Sequence, residues 1–151
     1  MFVTETLGHS TTLKIANIYP GRQTNGSTVT TAGGDASAGQ LVAYGFWDDS
    51  ITSRFPVKLA LLNLQIFNST QSGTRPMSTF DISAFVPPGV SSVTVQRLTA
   101  PGADAQDANV TLWAGQTFED GLANGRHVIE TVKGHKINVD ASSAVLVLLS
   151  S

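Results

Sequence analysis

The run Val57–Phe67 constrains the fold of this chain more than any other segment. Leu59, Leu61, Asn63, Gln65 and Phe67 fall on one face of an extended strand, and Ala60, Leu62, Leu64 and Ile66 fall on the other. A strand that is apolar on both faces has to be covered on both, which predicts a place at the centre of a sandwich. Ala144-Val145-Leu146-Val147-Leu148-Leu149 repeats this continuous apolar signal near the far end of the chain. No stretch shows the three- and four-residue apolar spacing of an amphipathic helix over a useful length.

The remaining segments read as short strands between turns. Phe2–Leu7, Leu13–Ile18, Leu41–Trp47, Ser78–Ile82, Ser91–Leu98, Val110–Trp113, Gln116–Phe118, His127–Val132 and Lys136–Val139 are rich in Val, Ile and Thr or alternate in polarity. Tyr19–Gln40 is a long glycine-rich loop with room for one short strand near Thr28–Thr31. The 14 Gly and 6 Pro supply the punctuation elsewhere. The pattern predicts an all-β chain, an antiparallel β-sandwich of about eight to ten short strands. Without a linker or a repeat, residues 1–151 form a single β-sandwich domain.

Charge excludes several function classes. Charged residues make up only 13% of the chain, the net charge is −2, and the nine Lys and Arg are scattered singly. That leaves no basic footprint, so neither nucleic acid nor an anionic membrane surface is an expected partner. No apolar run approaches the ~20 residues of a membrane-spanning helix. Met1–Ser10 lacks the basic-then-apolar order of a secretory signal. Cysteine is absent, which rules out disulfides and thiolate chemistry.

Catalytic constellations are equally hard to find. His9, His127 and His135 stand at no metal-ligand spacing. Asp48-Asp49 and Glu119-Asp120 are adjacent pairs, whose side chains diverge, whereas glycosidase carboxylates converge across a sugar at roughly 5–10 Å. Asp104, Asp107 and Asn109 provide oxygen atoms in one loop but not in the order of a calcium loop. No nucleophile elbow or phosphate-binding glycine motif occurs. No catalytic residue, metal or cofactor is therefore expected. Sugar-binding modules stack pyranose rings on exposed Trp or Tyr beside polar side chains, and on that ground Trp47 with Asp48 and Asp49, and Trp113, are the candidate carbohydrate-binding residues. Core packing is the ordinary alternative for such rings. Asn25, Asn68 and Asn109 open N-glycosylation sequons in turn-like contexts, which favours an extracellular setting.

Several blocks occur together in one order: Leu7-Gly8-His9-Ser10, Leu61-Leu62-Asn63, Gly73-Thr74-Arg75-Pro76, Ser92 through Arg97-Leu98-Thr99-Ala100-Pro101-Gly102-Ala103, Trp113-Ala114-Gly115-Gln116-Thr117-Phe118, and Ser143-Ala144-Val145-Leu146-Val147. Over Phe2–Leu149 this order resembles the C-terminal β-domain of glycoside hydrolase family 79, the fungal β-glucuronidase and heparanase-like enzymes. The Arg-Leu-Thr-Ala-Pro and Trp-Ala-Gly-Gln blocks are the most specific, and Thr117 stands where the family pattern has serine. The resemblance implies a sandwich packed against a catalytic (β/α)8 barrel that carries the acid/base and nucleophile glutamates. Glu5 and Glu130, the glutamates outside the Glu119-Asp120 turn, match neither. The resemblance therefore implies a non-catalytic accessory domain with a barrel as partner, in a secreted protein. A free-standing lectin-like glycan binder is the alternative. Such families complete the sandwich with a segment from before the barrel, so an unpaired sheet edge and a homodimer through it are further expectations.

Overall fold

The computed structural model describes residues 12–19, 30–32, 40–50, 53–119 and 121–149. The expected strand Phe2–Leu7, His9 and the sequon at Asn25 lie outside them. Ten strands are described: β1 (Leu13–Tyr19), β2 (Thr30–Ala32), β3 (Leu41–Asp48), β4 (Lys58–Asn63), β5 (Met77–Asp81), β6 (Ser92–Thr99), β7 (Leu112–Trp113), β8 (Glu130–Lys133), β9 (Lys136–Asp140) and β10 (Ser143–Leu148). They form an all-β antiparallel sandwich. The large sheet runs β1-β3-β4-β10-β6-β7, with β8 beside the first half of β6, and the small sheet runs β2-β5-β9.

The two continuously apolar segments become the two middle strands. β4 and β10 pair along their whole length, from Ser143 opposite Asn63 to Leu148 opposite Lys58. Their inward residues, Leu59, Leu61, Val145 and Val147, are 1% exposed or less. They meet Phe80, Ile82, Ile137 and Val139 of the small sheet and its margins, forming the main core with Val93 and Val95 of β6. A β-bulge between Asn17 and Tyr19 shifts the β1–β3 register. The extra residue turns Tyr19 inward, where its ring meets Phe80 edge-on at 6.5 Å.

The expected strand Val57–Phe67 is shorter than its alternation predicts, and the reason is local. Asn63, wholly buried, accepts the backbone N–H of Gln65 on Oδ1 (3.1 Å) and donates from Nδ2 to the Val139 carbonyl (3.0 Å). A side chain that bonds the backbone two residues on turns the chain out of its ladder. Beyond it, Ser142 takes the place of a strand partner. Its hydroxyl accepts from Phe67 N–H (3.0 Å) and donates to the Gln65 carbonyl (2.9 Å). Leu64 and Ile66 then leave the covered part of the sheet, at 51% and 74% exposure.

The outer face of the large sheet is apolar as well. A second, smaller cluster of Trp113, Ala114 and Leu146, flanked by Leu98, Phe118 and Leu148, closes part of it. The excursion after β6 supplies this cover. Trp113 and Gln116 exchange backbone hydrogen bonds around Ala114 and Gly115, and both of these have positive φ, 48° and 77°. A two-residue hairpin of the primed type requires that conformation. Thr117 and Asn124 then pair in both directions to close a second, longer hairpin. Gln116–Phe118, expected as a strand, is one arm of this meander.

Candidate functional site

Among the described blocks, those around Asn63, Arg75, Ala100–Ala103 and Ser143 meet at one end of the sandwich, where β4 ends and β10 begins. Arg75 is the hub of this end. Its Nε donates to the Ala141 carbonyl (2.8 Å), Nη1 to the Ala100 carbonyl (2.8 Å), and Nη2 to Ala141, to the Ser142 carbonyl and to Ser143 Oγ. The guanidinium also lies 5.6 Å from the centre of the Phe67 ring. A planar fork of fixed donors suits three converging carbonyls in a way that a lysine ammonium does not.

Gly102 completes the joint. A Cβ there would lie 2.4 Å from Ser69 N, 2.5 Å from Asp104 Oδ1 and 2.8 Å from the Phe67 carbonyl. Two loops therefore touch backbone to backbone, and only glycine leaves room. Ala103 N–H donates to the Phe67 carbonyl at 2.7 Å. Asp104 accepts Ser69 N–H (2.7 Å) and the Ser69 hydroxyl (3.0 Å). The Ser69 backbone bond holds the Asp104 carboxyl below its ordinary range. Asp104, weighed above as a calcium ligand, spends both oxygens on this loop clamp.

Arg97, in the Arg-Leu-Thr-Ala-Pro block, joins the two sheets. It donates from Nε to Glu130 Oε2 (2.9 Å) and from Nη1 to the Asn138 carbonyl of β9 (2.8 Å). Its own carbonyl accepts from Ala114 N–H (2.9 Å), whose carbonyl accepts from Val128 N–H (2.7 Å). The two most specific blocks are thus bonded to each other. Neither presents a nucleophile or a carboxylate pair.

The candidate carbohydrate residues sit apart. Trp113 is 3% exposed, so its ring is packed on both faces and offers neither to a sugar. Trp47 is half-buried against the main core. Its six-membered ring lies so close over Gly45 that a Cβ there would approach it to 2.4 Å, and its Nε1 donates to the Arg54 carbonyl at 3.2 Å. Asp48 Oδ1 accepts from the Thr12 hydroxyl and from the N–H and hydroxyl of Ser50. Asp49 pairs with Lys14 at 2.7 Å. The two carboxylates therefore tie β1 and the following turn to β3.

The other marked residues are in place locally. Asn68 is half-buried at the turn that Asp104 clamps, and Asn109 is exposed in a short 3-10 turn. His135 Nε2 donates to the Val90 carbonyl at 2.7 Å. His127 Nε2 lies 3.0 Å from the Gln96 side-chain amide nitrogen. Among the described residues no group of three His, Asp or Glu side chains could hold a metal.

The role of Arg75 was not legible in its sequence block. One signal was available: it is a lone cation inside the turn cluster Asn68–Pro76, fixed before a proline.

The most specific sequence blocks of this β-sandwich are thus joints between its own loops and strands. The model of the glycosyl hydrolase family 79 C-terminal beta domain matches residues 43–146, and the chain belongs to that family. It is similar to the crystal structure of a 4-O-alpha-L-rhamnosyl-beta-D-glucuronidase from Fusarium oxysporum 12S in complex with Rha-GlcA, at 32% identity and a TM-score of 0.57. The match covers 79% of this chain and 26% of that enzyme, so the chain spans about a quarter of the relative's length. Among curated proteins none matches the chain.

Proposed function

We infer that this chain is the non-catalytic accessory β-sandwich of a family 79 glycoside hydrolase, and that it braces a catalytic barrel in a secreted enzyme. The carrying observation is that the family match is to the C-terminal β-domain alone, while the matched enzyme has roughly three-quarters of its length outside it. The internal geometry supports the same role. The Arg97–Ala114–Val128 chain and the Arg75 hub spend the polar groups of the signature blocks on holding loops. By analogy with the activity of that relative, the partner barrel acts on a glucuronide. A secretory route makes Asn68 and Asn109 acceptors for N-glycans.

The test is a pair of assays on the purified chain. Hydrolysis of an aryl β-glucuronide should stay at the buffer rate, and a glycan array should stay silent. Selective glycan binding that is lost in Trp47→Ala would overturn the structural role and assign a lectin-like one. Light scattering on the same sample reads whether the free chain pairs through a sheet edge.

A further inference from the structure

An asparagine followed by glycine exposes its side-chain amide to attack by its own backbone, because glycine lacks the Cβ that would shield the next amide nitrogen. The chain contains this pair twice, at Asn25-Gly26 and Asn124-Gly125. The first lies outside the described residues. The second closes the longer hairpin of the meander, where Thr117 and Asn124 exchange backbone hydrogen bonds, each 2.9 Å.

The attack needs two groups, the side-chain amide carbon and the next backbone nitrogen. At Asn124 both are open. Asn124 and Gly125 are exposed. Among the described residues nothing bonds the Asn124 side chain, and the one hydrogen bond of Gly125 is accepted by its carbonyl, from Gln116 Nε2 at 3.1 Å. Gly125 has φ 105°, and a Cβ there would stand 3.0 Å from the Gly115 carbonyl, so the hairpin requires glycine at this position. The other described asparagines are each withheld. Asn63 engages both ends of its amide, and Asn138 Oδ1 accepts from the Thr79 hydroxyl. After Asn68, the Ser69 N–H is held by Asp104; after Asn109, the Val110 N–H is held by the Asp107 carbonyl. Asn17 precedes the β-branched and buried Ile18.

We propose that Asn124 is a self-modification site, at which the folded chain forms aspartyl and isoaspartyl residues. The Gly125 nitrogen gives its proton to solvent base and bonds to Asn124 Cγ. The Cγ–Nδ2 bond breaks, the amide leaves as ammonia, and a cyclic imide closes. Water then opens the ring. Attack at Cγ gives aspartate, and attack at the main-chain carbonyl gives isoaspartate. Water is the sole co-reactant. A neutral amide becomes a carboxylate, one negative charge beyond the chain's −2. In the isoaspartyl product the side-chain methylene enters the main chain, and the carbonyl that Thr117 N–H bonded becomes a free carboxylate. One arm of the hairpin lengthens, which loosens its grip on Phe118, a ring packed against the Trp113 cluster.

The test holds the folded chain in mildly alkaline buffer at body temperature, beside the chain in denaturant and a folded Asn124→Gln variant. Peptide maps with fragment spectra follow each over weeks. Residue 124 should gain about 1 Da in ordinary water and about 3 Da in heavy-oxygen water, and should accept a methyl group from an isoaspartyl methyltransferase. In the folded chain it should react at least about tenfold faster than Asn63, Asn68, Asn109 or Asn138, and at no less than about a tenth of its rate in denaturant. Asn124→Gln should show no gain at 124, because the longer side chain must close a larger ring. Trypsin should cut the isoaspartyl fraction after the exposed Arg126 at least about fivefold faster than the parent.

A folded chain that stays unmodified at Asn124 while the denatured one reacts overturns the proposal, since the paired hairpin would then keep the nitrogen from Cγ. Equal rates at the five asparagines overturn it as well, as does a mass gain at 124 that carries no heavy oxygen. An isoaspartyl fraction cut at the parent rate overturns the loosening of the hairpin.

Discussion

The two faces of the large sheet are built from the same kind of residue but closed in different ways. The inner face meets a second sheet, and its side chains interlock with Phe80, Ile82, Ile137 and Val139 in one continuous core. The outer face meets a meander of two hairpins, and its cluster centres on Trp113, Ala114 and Leu146. A sheet closes a face with strands that are themselves braced by a ladder. A meander closes it with loops, which relax more readily when a side chain is removed. The same apolar alternation can therefore belong to a rigid interior on one side and to a lighter cover on the other.

Truncation should separate the faces. Phe80→Ala removes a ring with no exposure from the inner core, and the expected loss is about 4 kcal/mol in a urea titration, within the range for buried aromatic truncations. Trp113→Ala should cost about 3 kcal/mol despite the larger ring, because the meander can settle into the space. Equal losses, or a larger one at Trp113, would show the outer cover to be as stiff as the inner one.

Arg75 probes the end at which both faces terminate. Arg75→Ala leaves the Ala100 and Ala141 carbonyls short of a charged donor and should cost about 2 kcal/mol. Arg75→Lys should recover less than half of that, because a single ammonium cannot satisfy three converging acceptors. Full recovery would mean that charge alone, not the fork, holds the joint.

The smallest effect is acid sensitivity at the turns. Asp81, held by the hydroxyl and N–H of Ser83, and Asp104, held by Ser69, both titrate below the ordinary carboxylate range. Their folded-state pKa values are depressed, so the stability they contribute is fully present above the unfolded value of about 4 and is lost as pH falls through the folded values. The melting temperature should be level above about pH 5 and should fall below about pH 4. Asp104→Asn together with Asp81→Asn should flatten that fall; an unchanged slope would place the acid response elsewhere.

The sequence showed the fold more clearly than any site, for a physical reason. The alternation in Ser91–Leu98 and the continuous apolar runs in β4 and β10 report burial directly, and burial is what orders the sheets. The end of β4 was hidden because Leu64 and Ile66 keep the alternation going after Asn63 has turned the chain aside. Trp47 and Trp113 drew attention as open rings because a sequence gives the residue but not what covers it. Their cover comes from Gly45 beneath Trp47 and from the meander around Trp113. Asp48 and Asp49 read as loose polar neighbours because Thr12 and Lys14 are remote in sequence and adjacent only across the β1–β3 ladder. The Arg75 hub depends on three carbonyls, and a carbonyl leaves no mark on the sequence.

The two cross-sheet bonds to β9 have a mechanical consequence. Asn63 grips the Val139 carbonyl from β4, and Arg97 grips the Asn138 carbonyl from β6. Interlocked apolar side chains hold the two layers together without a directional bond, and the two polar bonds add direction to that contact. Pins from two strands of the large sheet, set on successive residues of the small one, fix the position of the layers and their relative rotation. Sliding one layer along the other would have to break both bonds.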